Sequence, residues 1–241
     1  MRYQTSRYRT SLYLALLLLS CLVRIASAHR DDYIDETLVF QTIDEGAVEP
    51  EYWFDYGHRS DEGIYFQRHN VALEYGITHQ LMIDTRLTVE DPNGRPANFD
   101  SGRLETRYRF GEEGTWPVDV ALSGEVNTAR LENGRRQYGV EPRLIFSKDF
   151  AKVNATLNLA EEIPINRGSP SLGLACGVRY NATELVRFGS ELKYDLREQN
   201  GSVIPQIWFA FPHEITLKTG YSKGFDRNRE NFVRFAIEVE F

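Results

Sequence analysis

The last stretch of the chain, Phe232–Phe241, reads Phe-Val-Arg-Phe-Ala-Ile-Glu-Val-Glu-Phe and alternates between apolar and mostly polar residues. Successive side chains of a β-strand point to opposite faces, so the odd-numbered residues after Phe232 form an apolar face and Arg234, Glu238 and Glu240 lie on the other. A strand of about ten residues, tilted by roughly 40°, rises about 25 Å, which matches the apolar band of a transmembrane barrel. The stretch therefore predicts a strand with lipid on one side and a polar interior on the other.

Other segments of the chain repeat this alternation, and short turns separate them from somewhat longer polar loops. The predicted segments are Glu51–Gly57, Ile64–Tyr75, Leu81–Glu90, Gly102–Phe110, Pro117–Thr128, Gln137–Phe146, Ala151–Ala160, Ser171–Tyr180, Leu185–Asp195, Val203–Phe211 and Ile215–Tyr221. With the last strand they predict an all-β fold, a transmembrane antiparallel up-and-down β-barrel of about twelve strands. The alternative is a soluble β-sandwich or a lipocalin-like barrel, whose strands also alternate. The pattern is unclear only near residues 64–70, where Gln67 and His69 share the apolar face.

The first 28 residues have the features of a secretory signal peptide. Arg2, Arg7 and Arg9 precede the apolar run Leu12–Leu19, and Ala26-Ser27-Ala28 provides a small-x-small cleavage site. We therefore predict a cleaved leader over residues 1–28, export from the cytoplasm and a mature chain that begins at His29. The leader carries four arginines and no acid, so its removal makes the net charge of −7 four units more negative. An acidic protein of this kind is not expected to bind nucleic acid.

The segment 29–49 is dense in acidic residues, with one apolar patch at Leu38–Phe40. It could be a tail in the periplasm, a short plug of the barrel, or an extra strand at Thr37–Thr42. We favour the acidic periplasmic tail, because the charge density of the segment opposes its burial. The barrel itself is then expected over residues 50–241.

Few residues in the sequence are suited to catalysis or metal binding. Cys176 is the only cysteine outside the predicted leader, so neither an internal disulfide nor a thiolate cluster is expected. Hydrolytic barrels need a histidine with a serine or carboxylate partner, but only His69 falls in a predicted strand and no nucleophile-elbow motif occurs. We predict no enzyme activity, no cofactor and no metal site.

Two hairpin sequences resemble a known group of Gram-negative barrels. The stretch Leu73–Leu81, Leu-Glu-Tyr-Gly-Ile-Thr-His-Gln-Leu, and the pair Arg107–Phe110 and Val120–Glu125 are similar to hairpins of outer-membrane transporters of the aromatic-compound (phenol-degradation) family. The resemblance covers roughly residues 64–160 and the C-terminus. It implies an outer-membrane channel and gives no catalytic residue.

Charged side chains on the predicted inner faces are the candidates for a functional site. The candidates that would line the lumen and set its selectivity are Arg86, Arg103, Arg107, Arg109, Asp119, Glu125, Glu141, Arg143, Arg187, Glu191, Arg234 and Glu238. They could line a water-filled pore, or they could pair across a narrow lumen and close it. Arg103, Arg107 and Arg109 form the most basic stripe, which favours an anionic solute unless Glu125 and Asp119 compensate them.

These features together predict a porin-like channel of the Gram-negative outer membrane that passes small solutes passively. The alternative is a non-conducting structural barrel that docks a periplasmic protein through its acidic segment 29–49. The expected partners are outer-membrane lipid and the barrel-assembly machinery. We expect the terminal Phe241 to be the assembly signal, because it follows the last strand as an aromatic C-terminal residue.

Overall fold

A computed structural model describes residues 32–35, 37–92, 96–131, 133–166, 168–212, 214–227 and 230–241. The predicted signal peptide, residues 1–28, lies outside the described residues. Within them the chain forms one closed barrel of antiparallel strands. The strands are β1 Val48–Arg59, β2 Ile64–Thr78, β3 Leu81–Pro92, β4 Asn98–Arg109, β5 Asp119–Arg130, β6 Arg136–Phe150, β7 Val153–Pro164, β8 Ser171–Asn181, β9 Val186–Asp195, β10 Asn200–Phe211, β11 Ile215–Asp226 and β12 Glu230–Val239.

The ring closes between its first and last strands. Each strand pairs with its neighbours in sequence, and β1 pairs with β12 from Glu51 opposite Glu238 to Arg59 opposite Glu230. Beyond the end of β12, Phe241 continues the ladder, because its backbone N–H and C=O both hydrogen-bond to Val48 at 3.0 and 3.1 Å. A closed ring leaves no unpaired sheet edge. The predicted twelve-stranded all-β barrel is confirmed, and a sandwich of two open sheets is excluded.

We name the two ends of the barrel by their connections. The base holds the two ends of the ring, Val48 and Phe241, and the turns at 79–80, 110–118, 151–152, 182–185 and 212–214. The mouth is the opposite end. The expected contrast between short turns and longer loops is weak, because the strands run on past the predicted loop boundaries and the longest connection, 110–118, lies at the base. No helix among the described residues is long and apolar enough to cross a membrane.

The burial of side chains is inverted relative to a soluble protein. Val71 and Leu87 face each other across β2 and β3, and they are 56% and 57% exposed on the outer surface. Asp55, Glu74 and Asn154 are fully buried on the inner face. A continuous apolar outer face and a polar inner face are expected of a barrel that sits in lipid.

The register of β2 near residues 64–70 is regular. The strand runs without interruption from Ile64 to Thr78, with Gln67 and His69 on the outer face. The ring of His69 lies 2.7 Å from the Tyr52 hydroxyl, measured from its Nδ1 atom. The polar outward residues therefore lie toward the mouth, beyond the apolar belt around Val71.

A charge placed in the apolar belt tests its contact with lipid. We expect Leu87→Arg to lower the free energy of unfolding by about 2–4 kcal/mol, and Gln67→Arg, on the same face nearer the mouth, by about 0–1 kcal/mol. Denaturant unfolding of both variants in phospholipid vesicles measures the difference. Equal effects at the two positions would contradict a lipid-facing belt.

Candidate functional site

The N-terminal segment lies inside the barrel. Residues 32–35 and 37–47, which we call the plug segment, make contacts with strands on opposite sides of the ring: Arg107 of β4 donates to Asp32, and Gln206 of β10 accepts from the Ile34 N–H. The prediction of a periplasmic tail is therefore wrong for these residues, and the plug alternative is right. The charge density does not prevent burial because the lumen wall supplies cations to the buried carboxylates.

Arg107 is the main anchor of the plug segment. Its guanidinium is 1% exposed and donates to both carboxylate oxygens of Asp32, at 3.1 and 2.9 Å. It also donates to the carbonyl oxygens of Val39 and Gln41, at 3.2 and 3.3 Å. Charge-assisted bidentate pairs of this kind are the strong class of hydrogen bond. One arginine of the wall thus holds three separate points of the plug segment.

Amide and ammonium groups of the wall satisfy the backbone of the plug segment. Asn158 of β7 accepts from the N–H of Leu38 and donates to its C=O, both at 2.8 Å. Lys218 of β11 donates to the Asp32 carbonyl at 2.7 Å and forms an ion pair with Glu238. A buried irregular segment needs such partners for its backbone groups. The lumen wall is therefore shaped to receive this peptide.

Tyr33 packs closely against the wall. Its ring lies edge-on to Trp208, with 5.8 Å between the ring centroids, and its hydroxyl donates to the Asn154 side chain at 3.0 Å. A Cβ atom added at Gly177 of β8 would come within 2.6 Å of the Tyr33 ring. At the base, a Cβ on Gly76 would come within 1.9 Å of the Asp44 carbonyl oxygen. Two glycines of the wall thus leave the space that the plug segment fills.

Three further apolar side chains of the plug segment enter two clusters with inward-facing residues of the barrel. Ile34 packs with one cluster, and Leu38 and Phe40 with the other. The wall residues are Trp53, Phe66, Ile204, Phe232 and Ala236 in the first cluster and Ala121 and Ile145 in the second.

Asp35 forms the tip of the plug segment at mid-height in the barrel. One carboxylate oxygen lies 3.0 Å from Arg234, and the other lies 3.4 Å from the Lys193 ammonium. Glu191 accepts from the backbone N–H groups of Asp35 and Thr37, at 2.7 and 3.0 Å. Burial raises the pKa of the Asp35 carboxyl, but attraction by Lys193 and Arg234 outweighs burial and brings that pKa below its ordinary value. Asp35 therefore stays charged at neutral pH.

Above Asp35 the lumen widens into a vestibule. Two adjoining cavities, of about 460 and 390 Å³, share a lining of Asp35, Arg68, Glu141, Arg143, Lys193 and Arg234. On one side the first cavity is lined by small side chains, Gly173, Ala175, Ser202 and Ser222. These small residues leave room for a solute opposite the charged wall.

The structure separates the predicted lumen residues into three groups. Arg86, Arg103, Glu125, Glu141, Arg143 and Arg234 line the vestibule. Arg107, Glu191, Arg234 and Glu238 surround the plug segment, while Arg109, Asp119 and Arg187 lie near the base. All twelve lie in strands, as predicted, but they do not form a single ring of charges around the lumen.

Most of these charges are paired within the wall. Arg103 contacts Asp84 at 2.9 Å and Glu125 at 3.5 Å, and Arg143 contacts Glu141. Arg109 contacts Glu112 at 3.1 Å, whereas Asp119 accepts from the Gly114 N–H. Glu125 thus compensates Arg103 as the alternative interpretation held, but Asp119 does not compensate Arg107. The basic stripe is divided between the vestibule, the plug segment and the base.

Sequence reasoning missed several residues of the site. Arg68 was not predicted to face the lumen, because the alternation near residues 64–70 is unclear in the sequence. A regular alternation that starts from Phe66 places it on the inner face. Asp35, Asn158 and Gln206 carry no signal of their own, because their roles depend on the plug segment entering the lumen. Gly177 falls on the inner face by the alternation of the segment Ser171–Tyr180, but nothing in the sequence marks it as a contact of Tyr33.

One cluster of carboxylates resembles a cation site. Glu49, Glu51 and Glu74 each bring an oxygen within 4.8 Å of the other two, and all three residues are buried. Arg86 donates to Glu51 at 3.2 Å, so an arginine contributes positive charge at this place. We assign no metal to the cluster.

Comparison with known proteins leaves the sequence family open. No protein-family model matches the chain. No curated protein sequence matches it either. The resemblance to transporters of the phenol-degradation family therefore stays a prediction.

Solved structures with a similar fold are outer-membrane channels. The KdgM porin in complex with disordered oligogalacturonate superposes with a TM-score of 0.61 at 8% identity, over 80% of this chain and 99% of that one. The COG4313 outer membrane channel from Pseudomonas putida F1 gives 0.60 at 11% identity, over 88% and 100%. The NanC porin gives 0.55 at 14% identity, over 78% and 98%. At such low identities the similarity concerns the fold alone, which is that of an outer-membrane β-barrel.

Proposed function

We propose that this protein is a passive outer-membrane channel for small polar solutes and that the plug segment controls its conductance. One observation carries the proposal. The lumen is open toward the mouth, where it forms the vestibule, and the plug segment crosses it between the vestibule and the base. The plug segment is held to the wall by side-chain contacts and belongs to none of the twelve strands. Such contacts can be exchanged without breaking the barrel.

The lining of the vestibule supports a polar solute. Charged, polar or small side chains make up most of it, with Leu174, Tyr194 and Phe232 as the larger apolar members, and acidic and basic groups are both present around Glu141, Arg143 and Lys193. An apolar compound in the vestibule would take these charged groups out of water without giving them a partner, which is costly. We therefore favour small hydrophilic solutes over unsubstituted aromatic compounds, which the family resemblance would suggest.

Conductance in planar bilayers tests this function. We expect the mature chain to conduct weakly, and a version without residues 29–44 to give a steady and larger current, because removing the plug segment opens the lower lumen. Heat-modified mobility on gels confirms that both versions are folded barrels before the measurement.

Two outcomes would contradict parts of the proposal. Equal currents from the two versions would mean that the plug segment does not control conductance. Silence of both folded versions would refute the channel, and it would favour the non-conducting barrel that binds a periplasmic partner. In that case Asp44 and Glu45, at the base, are the acidic residues positioned to meet the partner.

We also propose that residues 1–28 are a signal peptide that is cleaved on export. N-terminal sequencing of protein isolated from outer membranes should then begin at His29. An intact leader would refute cleavage.

A further inference from the structure

We propose that the position held by the Asp35 carboxylate is a binding site for a carboxylate-bearing solute, and that its occupation releases the tip of the plug segment. The inference rests on the proposed channel function and deepens it by naming a class of solute and the residues that recognise it. The site consists of Arg234 and Lys193, at the floor of the vestibule.

The geometry of the site fits one carboxylate. The two oxygens of Asp35 are shared between two cations, with Arg234 Nη1 at 3.0 Å from one and Lys193 Nζ at 3.4 Å from the other. Arg234 and Lys193 stand on different strands, β12 and β9, and the Asp35 carboxylate bridges them. A carboxylate that arrives from solution can make the same two contacts.

Arg234 keeps its position when Asp35 leaves. Two other guanidinium nitrogens of Arg234 donate to the two oxygens of Asp55, at 2.6 and 2.8 Å. Asp55 is fully buried and belongs to β1, so the orientation of Arg234 is set by the barrel. Arg234 Nη1, which also donates to the Ile34 carbonyl at 2.9 Å, would then face the space that the tip had occupied. Lys193 Nζ, which also donates to the Asp35 carbonyl at 2.8 Å, would lose both of these contacts and become available to a solute.

A solute can reach this position from the mouth. Asp35, Lys193 and Arg234 all line the larger vestibule cavity, and the side chain of Lys193 is 36% exposed. Glu191 lies beside the site, since it accepts from the Asp35 N–H. Its negative charge does not exclude a carboxylate, because the Asp35 carboxylate occupies this position next to it.

Competition for one site links solute binding to plug release. While Asp35 is docked, its carboxylate fills the site, so the solute binds only the released state. A ligand that binds one of two states shifts the equilibrium by a factor of 1 plus the ratio of its concentration to its Kd. At ten times its Kd, the solute therefore raises the ratio of released to docked tip about elevenfold.

Tryptophan fluorescence reports the tip without any measurement of current. Trp208 contacts Tyr33, and Trp53 packs in the cluster with Ile34, so release of the tip exposes both indoles to water in the lumen. Trp116 is 45% exposed in a base turn, so Trp116→Phe removes its background. Acrylamide quenching in vesicles then measures the exposure of the two lumen tryptophans.

Succinate is the probe, and sodium chloride at equal ionic strength is the reference. We expect succinate to increase quenching toward the level of the version without residues 29–44, and chloride to leave it unchanged. Asp35→Asn should show high quenching without succinate. Lys193→Gln removes a contact from the docked tip and from bound succinate alike, so it should raise quenching without succinate and reduce the further increase that succinate causes. Glu45→Gln removes one charge from the same segment at the base and should behave as the parent protein.

The result that overturns the inference is an unchanged quenching constant at saturating succinate while the version without residues 29–44 is strongly quenched. Equal quenching of that version and the parent overturns it as well, because the tip then shields no tryptophan. A response to succinate from a barrel that carries no current would refute the channel and leave the carboxylate site standing. Current without a response to succinate would support the channel and refute the carboxylate site.

Discussion

Gly177→Ala should open the channel and leave the barrel intact. The added methyl group would come within 2.6 Å of the Tyr33 ring, which also packs edge-on against Trp208. Overpacking of this size costs about 1–3 kcal/mol, and here the cost falls on the docked plug segment alone. The strand itself gains, since alanine suits an extended backbone better than glycine by about 0.5–1 kcal/mol. We therefore expect a larger single-channel current and stronger acrylamide quenching of Trp208, with no loss of resistance to denaturant.

Gly173→Ala is the matched control for this experiment. Gly173 lies on the same strand and the same inner face, but a Cβ atom there would meet only the Ala160 carbonyl oxygen, at 3.8 Å. That distance is an ordinary contact and involves no residue of the plug segment, so tryptophan quenching should stay at the parent value. If both alanine variants behaved as the parent, Tyr33 would not be held against Gly177 in the membrane.

Arg107→Gln should have the second large effect. The substitution removes the bidentate pair with Asp32 and the bonds to two carbonyl oxygens of the plug segment. Removal of one partner from a buried ion pair costs about 3–5 kcal/mol. Part of this cost falls on the barrel, because Arg107 also contacts Glu105 at 3.3 Å. We expect the plug segment to be mostly released, with a steady current and high tryptophan quenching.

A double-mutant cycle separates the two parts of that effect. Asp32→Asn changes the plug segment only, so the coupling energy between Asp32→Asn and Arg107→Gln measures the contact across the lumen. Arg109→Gln is the comparison on the same strand and face. Its partner Glu112 is 68% exposed, and such pairs contribute about 0–1 kcal/mol. Its approach to the plug segment is to the Phe40 ring at 6.0 Å, at the outer limit of a cation–π contact. A coupling energy near zero would show that Arg107 does not anchor the plug segment.

The two-residue alternation within each strand was enough to predict the barrel, because every strand by itself must present an apolar face to lipid. The outward Val71 and Leu87, and the inward Asp84 and Glu191, were all placed correctly by alternation, since a one-residue shift would exchange the two faces. The ends of the strands were less well placed. Beyond the apolar belt the alternation no longer has to meet lipid, so the strands continue past the predicted loop boundaries, as β6 does to Phe150.

The plug segment could not be read in the same way. Its position depends on contacts with residues far away in sequence, such as Asp32 with Arg107 and Ile34 with Gln206. Charge density predicted solvent exposure, because a sequence does not show which cations a carboxylate will meet. The same reason explains the mistaken grouping of Arg103, Arg107 and Arg109: they share a face, but their partners differ.

The sequence by itself determined that the chain forms twelve antiparallel strands with an apolar outer face and a charged inner face, because the two-residue period of a strand meets lipid on one side only. Only the tertiary structure decided what fills the lumen. Closure of the ring brings β4, β9 and β12 around one space, and the cations of these strands can then bind Asp32 and Asp35. Pairing of buried charges depends on distances of a few ångströms between strands, and no local pattern encodes those distances.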